Sequence, residues 1–430
     1  MITSSTILVI TVGGSHQPII TAIKETHPAH TCFVCSDKDP GTGKPGSNIQ
    51  ILGEGYVIKA HPQDGKPTLP NIPSQTGLAS EQFEVVTVEA DDLDNAFMTL
   101  LASLENLRSR FPQGKLVADY TGGTKSMSAA LVLAALEVQG AELQLVTGNR
   151  TDLIKVHDGT QYSSLAISDA VRLHRSMAPH LASWGRFAYD EAAAGLDAIP
   201  APPNNSLRHR LFRARDLSRA FAAWDRFDHT EARRLLDSYA PVVAQNLQSH
   251  FNTLRSITGD SPRKEPAQLL DLWRNAERRA AQGRFDDAVA RIYRLLEWSA
   301  QWFLRSRFGI DCSDIPAEKI PAGLPLSAGR DGKIQAPLFS AWEMVGALST
   351  GPFSTFFRDH RENLLGHLKM RNHSILAHGL SPITTTEWKI FSDWCSESFL
   401  PVLIEESGIK MPPQLPQDYR WEMTGTAHGR

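Results

Sequence analysis

The sequence predicts a fold in two parts, an N-terminal α/β region built on a parallel sheet and a C-terminal region made only of α-helices. Strand-like and helix-like segments alternate through residues 1–180, which is typical of a parallel sheet covered by helices on both faces. From about Ser168 onward the apolar residues recur at helical spacing. We therefore predict four regions: α/β (1–180), a helix end with a Pro-rich linker (181–205), a helical middle region (206–335) and a terminal helical domain (336–430).

Five strands are predicted in the first region. Residues 7–12 form an unbroken, largely β-branched apolar run, as expected of a strand that is buried on both faces. The other predicted strands are residues 32–35, 83–88, 116–120 and 143–147. Helices are predicted from Pro18 onward, over 91–110 and over 126–138. Residues 38–80 are rich in glycine and proline, and we interpret them as an insertion with a short hairpin at 50–58.

The composition is that of an ordinary globular protein. The 430 residues are 41% hydrophobic and 21% charged, and the formal charge of −3 excludes a protein that coats nucleic acid through a strongly basic surface. No apolar run approaches the roughly 18 to 20 residues of a membrane span, and no signal peptide is recognised, so we expect a cytoplasmic protein without membrane contact. The four cysteines do not suggest disulfides or zinc, and Cys32 and Cys35 are predicted to be buried in a strand.

Glycine pairs follow the first and the fourth predicted strands, and each precedes a helix. Glycine lets backbone N–H groups turn toward a ligand, and the following helix N-terminus adds partial positive charge. The residues concerned are Gly13, Gly14 and Ser15 in the first turn, and Thr121, Gly122, Gly123, Thr124 and Lys125 in the second. A phosphate or ribose site at the carboxyl edge of the sheet is one interpretation. The other is that tight strand-to-helix turns simply require glycine. Neither segment fits a dinucleotide or P-loop motif.

A second candidate site is the segment Arg371-Asn372-His373-Ser374-Ile375-Leu376-Ala377-His378-Gly379. If it is helical, Arg371 and His378 are seven positions apart and lie on one face. A permanent cation beside an imidazole suits phosphodiester cleavage, because the cation stabilises the negative charge of the transition state and the imidazole moves protons. The alternative is a surface arginine and a structural histidine. His373 is two positions after Arg371 and would point about 160° away from it, and a structural role is favoured for it.

Two further groups of residues have simpler interpretations. The arginines at the start of the helical region are predicted to form a solvated helix face, with RNA phosphate contact as the alternative; they are Arg208, Arg210, Arg213, Arg215 and Arg219. Four tryptophans recur at helical spacing and are predicted to pack in a core; they are Trp273, Trp298, Trp302 and Trp342. Asp119 ends the fourth predicted strand and is compatible with a turn cap or with a ligand contact.

The combination of these motifs resembles a known family. The segments Thr11-Val12-Gly13-Gly14-Ser15 and Asp119-Tyr120-Thr121-Gly122-Gly123-Thr124-Lys125 are similar to those of a CRISPR-associated Rossmann-fold (CARF) sensor domain. Arg371-Asn372 with His378 is similar to the R-x(4–6)-H signature of HEPN ribonucleases. Their order resembles the Csm/Csx CARF–HEPN effectors of type III CRISPR immunity. The fold implied is a Rossmann-like (CARF) parallel sheet at residues 1–180 followed by an all-α HEPN domain at 336–430.

The resemblance implies a homodimer in which the sensor domains bind a cyclic oligoadenylate as allosteric activator. Its pocket would be formed by Gly13, Gly14, Ser15 and Gln17 and by residues Thr121 to Ser126. Cyclic tetraadenylate is the favoured form, although the residues leave the ring size open. The two HEPN domains would form a composite cleft for metal-independent cleavage of single-stranded RNA, giving a 2′,3′-cyclic phosphate. His378 would transfer protons, Arg371 would stabilise phosphate charge and Asn372 would orient the site. The alternative is a non-catalytic CARF sensor whose helical part binds a partner or nucleic acid.

Overall fold

A computed structural model describes residues 5–38, 43–58, 68–148 and 160–419. The chain divides into two compact units, Met1–Arg172 and Leu173–Arg430. The first unit is a sheet with helices and the second is helical, so the predicted fold class is confirmed.

The sheet of the first unit has six strands within the described residues, in the order β3-β2-β1-β4-β5-β6. The strands are β1 (Thr6–Thr11), β2 (His30–Ser36), β3 (Phe83–Val88), β4 (Lys115–Asp119), β5 (Glu142–Thr147) and β6 (Tyr162–Ala166). The strands β1 to β5 pair in parallel, and β6 pairs with β5 antiparallel. The sequence analysis missed β6, because its residues YSSLA do not form the apolar run expected of a buried parallel strand.

Within the described residues, three helices around this sheet lie at the predicted positions and two short ones lie in the segment predicted as an insertion. They are α1 (Gln17–Thr26), α2 (Ile49–Leu52), α3 (Ile72–Thr76), α4 (Leu93–Arg110) and α5 (Lys125–Glu137). The hairpin predicted at residues 50–58 is wrong, since the short helix α2 occupies its first part and Ile58 instead pairs with Leu69. Apolar side chains pack in two clusters, one with α4 and α5 and the other with α1.

The second unit is formed by α-helices. They are α6 (Asp169–Ala182, which begins in the first unit), α7 (Tyr189–Asp197), α8 (Asn205–Asp225), α9 (His229–Asp237), α10 (Ala240–Thr258), α11 (Lys264–Ala281), α12 (Phe285–Phe308), α13 (Leu338–Leu348), α14 (Pro352–Asn372), α15 (Thr385–Trp394) and α16 (Leu400–Ser407). The helix α7 lies within the region predicted as helix end and linker. One large apolar cluster joins residues of α11 to α16, and it positions the Arg371 segment at the end of α14.

Candidate functional site

The two glycine turns of the first unit are in direct contact. The strands β1 and β4 are neighbours, so both turns leave the carboxyl edge of the sheet side by side. A Cβ atom on Gly13 would lie 2.6 Å from the backbone nitrogen of Gly123, and one on Gly122 would lie 2.3 Å from the carbonyl oxygen of Thr11. The Thr11 hydroxyl donates to the Gly122 carbonyl at 2.7 Å. The turns therefore form one continuous backbone surface, and the close approach requires glycine at both positions.

Hydrogen bonds to the carboxylate of Asp119 stabilise the second glycine turn. Its buried carboxylate accepts hydrogen bonds from the backbone N–H and the hydroxyl of Thr121, at 3.0 and 2.5 Å, and from the Gln144 amide at 3.0 Å. Burial raises the pKa of Asp119, and the hydrogen bonds from Thr121 and Gln144 oppose that rise. These contacts are those of a turn cap, which is one of the two roles that the sequence leaves open for Asp119, the other being a ligand contact.

The other residues predicted for this site differ in how accessible they are. Gly14, Ser15, Gln17 and Lys125 are exposed. Thr124 caps α5, because its side chain accepts from the Met127 N–H at 3.2 Å, and its hydroxyl also donates to the Ala90 carbonyl. The Thr124 hydroxyl is thus already used within the protein. The Ser126 hydroxyl lies 3.5 Å from the Asp91 carbonyl.

One residue at this edge was missed by the sequence analysis. The side-chain amide of Gln50, on α2, donates to the Gly13 carbonyl at 2.6 Å. The Oε1 atom of this amide is buried and has no hydrogen-bond partner in the described part of the chain. The insertion therefore contributes a polar side chain to the first glycine turn, and no local sequence signal indicates this contact.

At the second candidate site the predicted continuous helix is wrong. The helix α14 ends at Asn372, and residues 374–379 form turns closed by backbone hydrogen bonds from Ser374 to the Arg371 carbonyl (3.0 Å) and from His378 to the Asn372 carbonyl (3.2 Å). His378 therefore does not lie on the face of α14. The turn brings it back beside Asn372 instead. A Cβ on Gly379 would lie only 1.7 Å from the His373 carbonyl oxygen, so this path of the chain depends on glycine.

The side chains of this turn present a cation, an amide and two imidazoles near the surface. The guanidinium carbon of half-buried Arg371 lies 4.4 Å from the ring centroid of Tyr293, and Nη1 donates to the Asn372 Oδ1 at 3.2 Å. Asn372, His373 and His378 are exposed. The His373 Nδ1 lies 2.7 Å from the Lys369 carbonyl, a contact that fits the structural role favoured for it. Among the described residues, no three His, Cys, Asp or Glu side chains are grouped as metal ligands would be.

The remaining sequence predictions concern packing and surface charge. Burial raises the pKa of Cys32 and of Cys35 to about 12, and both thiols are buried in β2 as predicted. The four tryptophans pack in or against the large apolar cluster, which confirms their prediction. Within the arginine group, Arg215 and Arg219 form ion pairs with Asp197 and Asp216, as on a solvated helix face. In the described part of the chain, no helix is both long and apolar enough to span a membrane.

Comparison with known proteins matches part of the helical unit to a known domain. The family model described as "Csm6 HEPN domain" matches residues 258–399. This segment is therefore similar to the HEPN domain of Csm6. The matched segment contains Arg371, Asn372 and His378, and it begins within the region predicted as the helical middle region. The four predicted region boundaries stay predictions.

Solved structures extend the likeness beyond the HEPN domain. Csm6 from Enterococcus italicus bound to cyclic hexa-2′-fluoro-hexa-dAMP has a TM-score of 0.58 and 11% sequence identity, and the alignment covers 95% of this chain and 96% of that chain. Can2 from Sulfobacillus thermosulfidooxidans in complex with cyclic tetra-adenylate has a TM-score of 0.23 and 12% identity, over 60% of this chain and 69% of that chain. A TM-score this low supports no argument. No curated protein matches the sequence. The HEPN match and the Csm6-like fold confirm the resemblance to CRISPR-associated CARF–HEPN proteins.

Proposed function

We propose that this protein is a metal-independent endoribonuclease that cleaves single-stranded RNA after a cyclic oligoadenylate binds its N-terminal unit, in type III CRISPR antiviral defence. The observation that carries the proposal is the turn after α14. It places Arg371, Asn372 and His378 together at the end of one helix, within the segment that matches the Csm6 HEPN domain. A cation that stabilises phosphate charge and an imidazole that moves protons are groups suited to phosphodiester cleavage.

The reaction we propose needs no group beyond these side chains and the RNA. The ribose 2′-hydroxyl attacks the adjacent phosphorus, so that the 2′-O–P bond forms and the P–O5′ bond breaks. One product ends in a 2′,3′-cyclic phosphate and the other in a 5′-hydroxyl. His378 takes up or supplies the proton that moves between these oxygens, while Arg371 stabilises the extra negative charge on the phosphate. Asn372, which accepts a hydrogen bond from Arg371, orients the guanidinium.

We further infer that two chains form a homodimer, so that each HEPN domain contributes its Arg371 and His378 to one cleft. In the first unit, the joined glycine turns would bind the activator through backbone N–H groups and the exposed Ser15, Gln17 and Lys125. The Enterococcus italicus Csm6 carries a cyclic hexanucleotide analogue, and the favoured ring from the sequence is cyclic tetraadenylate. Both ring sizes therefore belong in the test.

The test is cleavage of a fluorescent single-stranded RNA in EDTA, with cyclic tetraadenylate, cyclic hexaadenylate or neither. We expect cleavage with one ring only, a reduction of about 10²- to 10⁴-fold in His378→Ala, and a 2′,3′-cyclic phosphate on the product. His209→Ala is the matched control, because His209 is exposed and lies outside the HEPN segment. Undiminished activity in His378→Ala would refute the assignment. Binding of a cyclic oligoadenylate without RNA cleavage would favour a non-catalytic sensor.

A further inference from the structure

The helix α12 contacts the segment 371–383, which contains the catalytic turn, at both ends of that segment. Asp286 and Tyr293 are seven residues apart on α12 and therefore lie on the same face of the helix. The Asp286 Oδ2 accepts a hydrogen bond at 3.0 Å from the backbone N–H of Ile383, where the chain leaves the turn. The Tyr293 ring lies 4.4 Å from the guanidinium carbon of Arg371, where the chain enters it. One helix face thus supports the whole segment 371–383.

The contact with Tyr293 leaves Arg371 able to bind phosphate. A guanidinium is planar, and its five N–H donors point outward in that plane. An aromatic ring stacked on the guanidinium occupies a face of the plane and attracts the positive charge through the negative face of its π system. Among the described residues, the guanidinium makes one hydrogen bond, from Nη1 to Asn372, so its other edge donors are available there. The ring therefore restricts the rotamers of a long side chain without using its phosphate-binding groups.

We propose that Tyr293 is a positioning residue for RNA cleavage, which holds the Arg371 guanidinium in the orientation that stabilises the phosphate in the transition state. This inference rests on the proposed ribonuclease function. Tyr293 does not touch the reacting atoms in this scheme and acts only through Arg371. Its hydroxyl has no role, so the aromatic face alone must account for the effect.

The experiment varies the ring at position 293 and measures kcat and KM for RNA cleavage in the full-length protein. Tyr293→Phe retains the aromatic face and is expected to keep activity within about 2-fold. Pentafluorophenylalanine at position 293 keeps the shape of the phenylalanine ring but reverses the charge of its face. We expect it to lower kcat by about 3- to 30-fold relative to Tyr293→Phe, with KM changed by less than about 2-fold. Tyr293→Leu is expected to lower kcat similarly.

A control on the same helix separates positioning from general destabilisation of α12. Trp298 lies 5.6 Å from the Arg294 guanidinium in a comparable cation–π contact, and the side-chain hydrogen bonds of these two residues go to Glu265, Glu297 and Gln301, which lie outside the turn. Trp298→Leu is therefore expected to leave kcat unchanged. In the Arg371→Ala background, measured with enzyme in excess over RNA, phenylalanine and pentafluorophenylalanine at 293 should give equal rates.

The outcomes distinguish this inference from the function on which it rests. Equal kcat for phenylalanine and pentafluorophenylalanine, with Arg371 present, would overturn the role of Tyr293 while leaving the ribonuclease function intact. The same fold-change with and without Arg371 would also overturn it, because the ring would then act by another route. Absence of RNA cleavage by the wild-type protein with either cyclic oligoadenylate would overturn the proposed function itself. The fluorinated ring keeps the planar shape of phenylalanine and is only slightly larger, so the comparison does not depend on whether Tyr293→Leu folds.

Discussion

Replacing Gly13 by alanine is expected to separate the two glycine turns and to weaken binding of the activator. The new Cβ would lie 2.6 Å from the backbone nitrogen of Gly123 and 3.2 Å from its Cα. Ordinary contacts between such atoms are about 3.5 to 4.0 Å, so the turns would have to move apart by roughly 1 Å. Both contacts are to backbone, and no flexible side chain can yield. Overpacking of this kind costs about 1–3 kcal/mol.

The neighbouring glycine supplies the control. A Cβ on Gly14 would meet nothing within 4 Å, and neither glycine has a positive φ that alanine would strain. Urea unfolding should therefore show a loss of about 1–3 kcal/mol for Gly13→Ala and almost none for Gly14→Ala. Calorimetric titration with cyclic tetraadenylate and cyclic hexaadenylate should show at least about 10-fold weaker binding for Gly13→Ala, which corresponds to about 1.4 kcal/mol. Equal stability and equal affinity of the two variants would refute the close contact between the turns.

Two further predictions concern the segment that matches the HEPN family model. Burial lowers the pKa of His367 from 6.5 to about 4, so the unfolded chain binds more protons than the folded one between these values. Neutral His367 therefore contributes about 3 kcal/mol to the free energy of unfolding above pH 6.5, and this contribution is lost as the pH falls toward 4. His367→Phe, which keeps the stacking on Phe391, should flatten the dependence of urea stability on pH in that window, and an unchanged profile would contradict the assignment. Gly379→Ala should abolish RNA cleavage because of the overlap with the His373 carbonyl, whereas Gly366→Ala, in open space on α14, should retain it and gain up to about 1 kcal/mol in urea unfolding.

Most of the N-terminal fold was predictable because its signals are local. The β1 segment is an unbroken apolar run followed by glycine, and the structure places it in the middle of the sheet, between β2 and β4. The strand β6 lacks this signal, since it is a short antiparallel edge strand whose Tyr162 and Leu165 are exposed. Its pairing with β5 depends on where the chain returns after residue 148, and neighbouring residues do not encode that.

The same distinction applies to the candidate sites. The glycine pairs after β1 and β4 are visible in the sequence as turn signals, but the contact that requires glycine at Gly13 and Gly122 is made between the two turns and appears only in the folded chain. The contacts of Gln50 with Gly13 and of Tyr293 with Arg371 join residues far apart in the sequence, and only the folded chain brings them together. The helix predicted through His378 was wrong because seven-residue spacing was given more weight than Gly379, whose position fixes the turn.

The turn that replaces this helix also bears on the proposed homodimer. A helix through His378 would have buried one apolar stripe against the domain, but the observed turn leaves Ile375, Leu376 and Leu380 exposed at 50%, 55% and 90%. These side chains flank His378 in the sequence, and apolar side chains grouped on a surface mark interaction sites. A second HEPN domain on this surface would cover them and would bring its own Arg371 and His378 beside the first pair. The exposed apolar turn thus supports a composite cleft, in which the catalytic groups are brought together by association of the chains and not by the spacing along one helix.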